Sequence, residues 1–263
     1  MGFQPIIPFG GMAGWSFLKR TQEAQRQAFV AAPEIKRDVD YFAEHIGAVK
    51  TAEDLVSDYR LLKVALGAFG LDDDLPNKAF IKKVLDEGSV DEESFANRMV
   101  DKRYLALTKA FGFDLGTPNT VMSDFPGTIL DSYKARQFEI AVGDQDAEMR
   151  LSLGLERDLS EIVASDNTDD GKWFAILGNE PLLRVFQTAL NIPKEAAQLD
   201  IDQQVKVMRE RADSIFGDGE IAQFSDPEQI EELNRLFLVR SQINNLSQGM
   251  SSGAIALTLL QAM

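Results

Sequence analysis

Cysteine is absent from the 263 residues, and histidine occurs once, at His45. The first absence removes disulfide frameworks, thiolate nucleophiles and cysteine-ligated zinc together. The second leaves no set of imidazoles to hold a metal, so His45, beside the apolar seam of Phe42 and Ile46, reads as a structural or surface residue. Basic charge is also scarce: 27 Lys and Arg stand against 42 Asp and Glu, a net charge of −15. Such a chain repels phosphate backbones unless it carries a basic patch, and no Lys/Arg run is long enough to make one. Met1 to Leu18 has no charged side chain, so the basic region of a secretory signal is missing, and Pro5 and Pro8 interrupt any apolar core. The apolar tail from Met250 to Met263 is too short to cross a bilayer. No sustained period-two run of β-branched residues occurs, which excludes a strand-rich fold.

Helical periodicity is what the chain does have. The Pro/Gly-rich start, residues 1–14, reads as a mobile arm. A thin stripe follows from Trp15 to Ala32. From Pro33, apolar residues Ile35, Val39, Phe42, Ile46 and Val49 recur at spacings of four and three. Thr51 with Asp54 has the spacing of a capping box, and Asp58 is placed to cap a further segment. Asp200 with Gln203, and Asp226 before Pro227, mark two later helix starts. Leu151, Leu155, Leu159 and Ile162 share one face of a long helix beginning near Gln145.

One stretch recurs. DYRLLKVALGAFGL at Asp58–Leu71 aligns without a gap on NEPLLRVFQTALNI at Asn179–Ile192. Leu61-Leu62 falls on Leu182-Leu183, Val64 on Val185, Ala68 on Ala189 and Leu71 on Ile192. A weaker third copy, DKRYLALTKAFGF, begins at Asp101. Self-similarity of this kind points to architecture, not chemistry. The expected fold is all-α: a helical bundle of two related multi-helix units with an irregular N-terminal arm. The Pro/Gly-rich stretch Gly116–Gly127 divides it, giving an arm over 1–14, one unit over 15–127 and a second over 128–263, the two units forming either separate domains or one compact domain. Leu62 and Leu183 are both expected to be buried.

No constellation carries a reaction. Asp166–Gly171 starts like a calcium loop, but the twelfth position is Leu177 where the bidentate Glu belongs. Asp72-Asp73-Asp74 reads as a solvated turn. Gly10-Gly11 precedes no strand, and Gly249–Gly253 lacks the setting of a hydrolase serine. The chain is therefore expected to be non-enzymatic, with no cofactor and no metal. Two apolar segments stand out as partner contacts: Trp15, Phe17 and Leu18 beside the arm, and Ile255, Leu259 and Leu260 in the terminal stretch.

Several stretches resemble a known bacterial family, the domain of unknown function numbered 1217. They are GWSFLKRTQEAQ from Gly14, DLVSDYRLLKVALGAFGLDDDLPNKAFIKKVL from Asp54, FEIAVGDQDAEMRLSL from Phe138, WFAILGNEPLLRVFQTALNIP from Trp173 and LDIDQQ from Leu199. Genes of that family often lie among flagellar genes. The resemblance implies a flagellum-associated structural or assembly protein working through protein contacts, its partners flagellar components or further copies of itself. It implies no catalytic residue. The alternative is a cytoplasmic acidic binding module, regulatory or chaperone-like, for a basic or aggregation-prone partner. The expected location is the cytoplasm or, by way of the flagellar export apparatus, outside it. No nucleic acid and no membrane span are expected.

Overall fold

Capping chemistry decides where the helices begin. The computed structural model describes residues 3–249. Among these there are thirteen α-helices and no strand, so the fold is all-α. They are α1 (Gly11–Val30), α2 (Pro33–His45), α3 (Ala52–Ser57), α4 (Tyr59–Ala68), α5 (Lys78–Glu87), α6 (Phe95–Arg98) and α7 (Arg103–Phe111). Then follow α8 (Phe125–Gly143), α9 (Ala147–Val163), α10 (Asp169–Leu177), α11 (Glu180–Ala189), α12 (Ile201–Phe216) and α13 (Pro227–Gly249). Thr51 and Asp54 close the reciprocal capping box of α3. Asp200 accepts from the Gln203 N–H at 2.9 Å at the start of α12.

The chain forms two units. One holds Thr21–Val142 with the short stretch ending at Ile6; the other holds Ile7–Arg20 with the chain from Gly143 onward. The division thus falls at Val142, not within Gly116–Gly127. Pro126 and Gly127 lie in the first turn of α8, where proline's missing N–H costs no hydrogen bond. Helix α8 carries the chain on without a break.

In the first unit α4 lies at the centre. Leu61, Leu62, Val64, Ala65 and Leu66 are all buried. It packs against α2 and α3. A methyl group at Gly67 would stand 2.9 Å from the Tyr133 ring of α8, so glycine is what allows that ring its place. Phe29 of α1 meets Phe138 of α8 edge to face at 5.8 Å.

In the second unit α11 packs against α13 and α9. A run of edge-to-face rings, Trp173–Phe186–Phe224–Phe216, fills its interior, each step between 5.4 and 5.7 Å. The Trp173 indole N–H donates to the Gly219 carbonyl at 3.1 Å. A buried Trp therefore keeps its polar handle satisfied.

The recurring stretch has the same local structure in both units. Asp58 accepts from the Leu61 N–H, and Asn179 from the equivalent Leu182 N–H, each at 3.1 Å. At the other end Leu71 N–H donates to Leu66 C=O at 2.9 Å, and Ile192 N–H to Gln187 C=O at 2.8 Å. Gly70 and Asn191 occupy the left-handed position there, at φ +70° and +53°. This is the six-to-one closure of a Schellman end in both copies. The match holds for cap, helix and closure and is not extended to the whole units. Burial differs: Leu62 is fully buried, whereas Leu183 is only half-buried.

Candidate protein-binding surface at the N-terminal arm

The arm is shorter than the sequence suggested, because α1 already begins at Gly11. It is also seated. In the first unit Ile6 N–H donates to Gln25 Oε1 at 2.6 Å, and Gln25 Nε2 donates back to Ile6 C=O at 3.2 Å. The same Nε2 lies 2.8 Å from Thr21 Oγ1. Gln25 is buried. One carboxamide thus satisfies both backbone groups of Ile6, as a neighbouring strand would.

In the second unit the turn before α1 rests on the helix itself. A methyl group at Gly14 would stand 1.8 Å from the Phe9 carbonyl oxygen and 3.1 Å from Met149 Cε. Gly11 opens the helix at φ +61°, a conformation that glycine takes without penalty. Gln242 of α13 lies against Gly11: a methyl there would meet its Oε1 at 2.6 Å. Asp146 lies beneath Gly10 and caps α9 by accepting from Met149 N–H at 3.1 Å. Burial pushes the Asp146 carboxyl above the usual range, and the nearby Glu148 charge pushes the same way.

The backbone is held, yet the side chains face out. Phe9 is 61% exposed and Ile6 59%. Neither was singled out by the sequence. An apolar residue in a Pro/Gly-rich run looks the same whether its backbone is seated or free. The signals available were Gln25 on the thin α1 stripe and Pro5, which is buried.

The residues that the sequence did single out lie elsewhere. Leu18 is fully buried and Trp15 nearly so; both belong to the interior and are withdrawn as contacts. Phe17 is half-buried, with the Arg20 guanidinium 5.8 Å from its ring. Ile255, Leu259 and Leu260 lie outside the described residues.

The polar clusters are absorbed into packing. Thr168 caps α10 by accepting from Gly171 N–H at 3.2 Å, while Asp169 and Asp170 each bind Arg209 at 2.5 Å. Asp72 accepts from Gln137 at 2.6 Å and Asp74 from the Tyr104 hydroxyl at 2.5 Å, so the acidic turn is tied down and not merely solvated. Asp38 takes Lys63 at 2.6 Å and the Tyr133 hydroxyl at 3.2 Å. Burial, then the Asp38 charge, pushes the Tyr133 hydroxyl far above its ordinary value. His45 stacks on Tyr41 at 4.0 Å. Among the described residues no three His, Asp or Glu side chains are grouped to hold a metal ion.

The sequence profile of a family described as protein of unknown function (DUF1217) matches residues 68–230, well over half of the chain. The chain belongs to this family. The fold of this DUF1217 protein is similar to a solved structure, the crystal structure of protein AGR_C_984 from Agrobacterium tumefaciens. That protein is 27% identical, with a TM-score of 0.75, and the match covers 92% of this chain and 99% of the other. No curated protein matches the sequence. Among the described residues no helix of this DUF1217 protein is long and apolar enough to cross a membrane.

Proposed function

We propose that the protein works without catalysis, as a flagellum-associated structural or assembly protein whose arm contacts a protein partner. One observation carries this reading: in the second unit the Phe9 backbone is seated against Gly14 of α1 while the Phe9 ring is 61% exposed. A rigid exposed aromatic loses little entropy when it enters a partner's pocket. The flagellar setting rests on the gene surroundings typical of the family. The test is fractionation of motile cells into cytoplasm, basal body and medium, comparing the native chain with Phe9→Asp. The native chain is expected with the basal body or in the medium, and Phe9→Asp is expected to shift to the cytoplasm with loss of motility. Both chains confined to cytoplasm, with normal motility, would overturn the proposal.

A second reading, an acidic module for a basic partner, is favoured by the loop after α5. Val90 is 71% exposed there, beside Asp91, Glu92 and Glu93. Asp114 Oδ2 accepts from Ser89 N–H at 2.7 Å and Val90 N–H at 3.1 Å, and Asn97 donates to the Ser89 and Asp91 carbonyls. The cytoplasm-only outcome would favour this reading.

A further inference from the structure

The end of the recurring stretch meets different surroundings in its two copies. In the first unit the protein covers it with its own side chains. A methyl group at Gly67 would stand 2.9 Å from the Tyr133 ring, and one at Gly70 would stand 3.1 Å from Arg136 Nη1. The Arg103 guanidinium donates to the Gly70 carbonyl, and Gln137 donates to Asp72 at 2.6 Å. In the second unit the matching positions are Thr188, Asn191 and Pro193, and there the surface is open. They line a cleft of about 300 Å³ together with Gln187, Lys194 and Asn244 of α13. That volume is at the lower end of the range for small-molecule sites.

The cleft differs in chemistry from the rest of this acidic chain. Its polar side chains are three carboxamides, one hydroxyl and one ammonium, and among the described residues no carboxylate lines it. None of these side chains has a hydrogen-bond or ion-pair partner among the described residues. Arg240, one turn before Asn244 on α13, donates to the Ala189 carbonyl, two residues before Asn191. Among the described residues no carboxylate pairs with Arg240 or Lys194. With 42 acidic residues against 27 basic ones, two unpaired cations beside one cleft are a local reversal of charge. The repeat shows the same reversal, since Asp72-Asp73 of the first copy is matched by Pro193-Lys194. Asn191 is a second, independent sign. It is the one non-glycine residue with a positive φ among the described residues, where the first copy has Gly70. A carboxamide is thus kept at a helix end where glycine is the commoner choice, and backbone outliers of this kind gather at ligand sites.

We propose that this cleft binds a carboxylate. Lys194 and Arg240 supply positive charge, and the carboxamides and the Thr188 hydroxyl supply donors. Hydrogen bonds to an ionised acceptor are about twice as strong as neutral ones. The first copy argues for the sign. There the Asp72 carboxylate and the Gly70 carbonyl receive donors from Gln137 and Arg103. In the second copy the cleft itself holds the donors, and the acceptor is what the protein does not supply. The net charge of −15 opposes an anion at long range, but that field is screened beyond about 8 Å in physiological salt. A ligand with one or two carboxylates therefore responds mainly to the local cations. Glu195, next to Lys194 in sequence, does not line the cleft. The proposal does not rest on the Phe9 contact.

Two sources share this chemistry, a free dicarboxylic acid and the C-terminal carboxylate of a chain. Succinate probes the first and N-acetylglycine the second, with N-acetylglycinamide as the uncharged match. They are titrated into the isotope-labelled full chain at constant ionic strength. The acids are expected to shift the side-chain amide resonances of Asn191 and Asn244 saturably at millimolar concentration, and the amide to leave them in place. Tighter binding of succinate would assign the free acid, and tighter binding of N-acetylglycine the chain end. Lys194→Glu, at an exposed position, is expected to weaken binding about tenfold. Asn191→Gly keeps the left-handed turn. It is expected to hold or raise the thermal midpoint while weakening binding severalfold, whereas a role in the turn alone would leave binding as it was. Resonances that move alike with the acids and the amide, or not at all, would overturn the proposal, as would unchanged binding in either variant.

Discussion

At the scale of single residues, Gly14 sets two effects against each other. Alanine is preferred over glycine in a helix by about 1 kcal/mol. Yet its methyl would meet the Phe9 carbonyl at 1.8 Å, and that oxygen belongs to the backbone, not to a flexible side chain. The arm must give way. Gly14→Ala is expected to keep the helical circular dichroism of the native chain and to expose Phe9 to faster chymotryptic cleavage; unchanged cleavage would show the seat to be dispensable. Asp146 gives a second prediction, with its sign fixed by burial. A carboxyl whose folded pKa is raised binds more protons folded than unfolded, so its ionisation destabilises as pH rises through the window above 3.8. Asn caps a helix as well as Asp and carries no charge. Asp146→Asn is expected to raise the urea midpoint at pH 7 and to leave it unchanged at pH 3.

Helices bring out what spacing can and cannot reveal. Leu62→Ala is expected to cost about 2–5 kcal/mol and Leu183→Ala less than half as much, measured by urea unfolding. Equal costs would mean that their difference in exposure is not reflected in stability. Cap positions were readable because they follow local rules: Thr51, Asp58 and Asp200 each sit where their side chain reaches an N–H two or three residues ahead. The all-α class was readable for the same reason, since apolar spacing repeats along each helix. Burial was not, because it depends on how many neighbours cover a helix. Helix α4 is covered on nearly all sides, whereas Leu183 sits at the margin of the α11 face. The candidate site was the least readable part. Trp15 and Leu18 looked like contacts because they are large and near the end, and they proved to be core. Phe9 and the Gln25 clamp depend on residues nineteen and five apart folding back together, which no local pattern encodes.

Over the whole molecule the acidic excess has a pH consequence. Asp54, Asp58, Asp101 and Glu232 are held below their usual range. Burial works against this at Asp58 and Asp101, but hydrogen bonds from Tyr41, Arg103 and backbone N–H groups outweigh it. Stability from such groups is present above their unfolded values and is lost as pH falls through the folded ones. Acidification from pH 7 is therefore expected to give first a small rise, from Asp146, and then a steep fall below about pH 4. A urea midpoint that declines steadily from pH 7 would contradict this order. The tyrosines and tryptophans divide between the two units. All four tyrosines, Tyr41, Tyr59, Tyr104 and Tyr133, lie in the first unit, and both tryptophans, Trp15 and Trp173, in the second. The protein thus carries a separate optical reporter in each half without any label. Light absorbed only by indole reports loss of packing in the second unit alone, and phenol absorbance follows the first. Recorded together along one denaturant series, the two signals would show which half melts first, or that both melt as one.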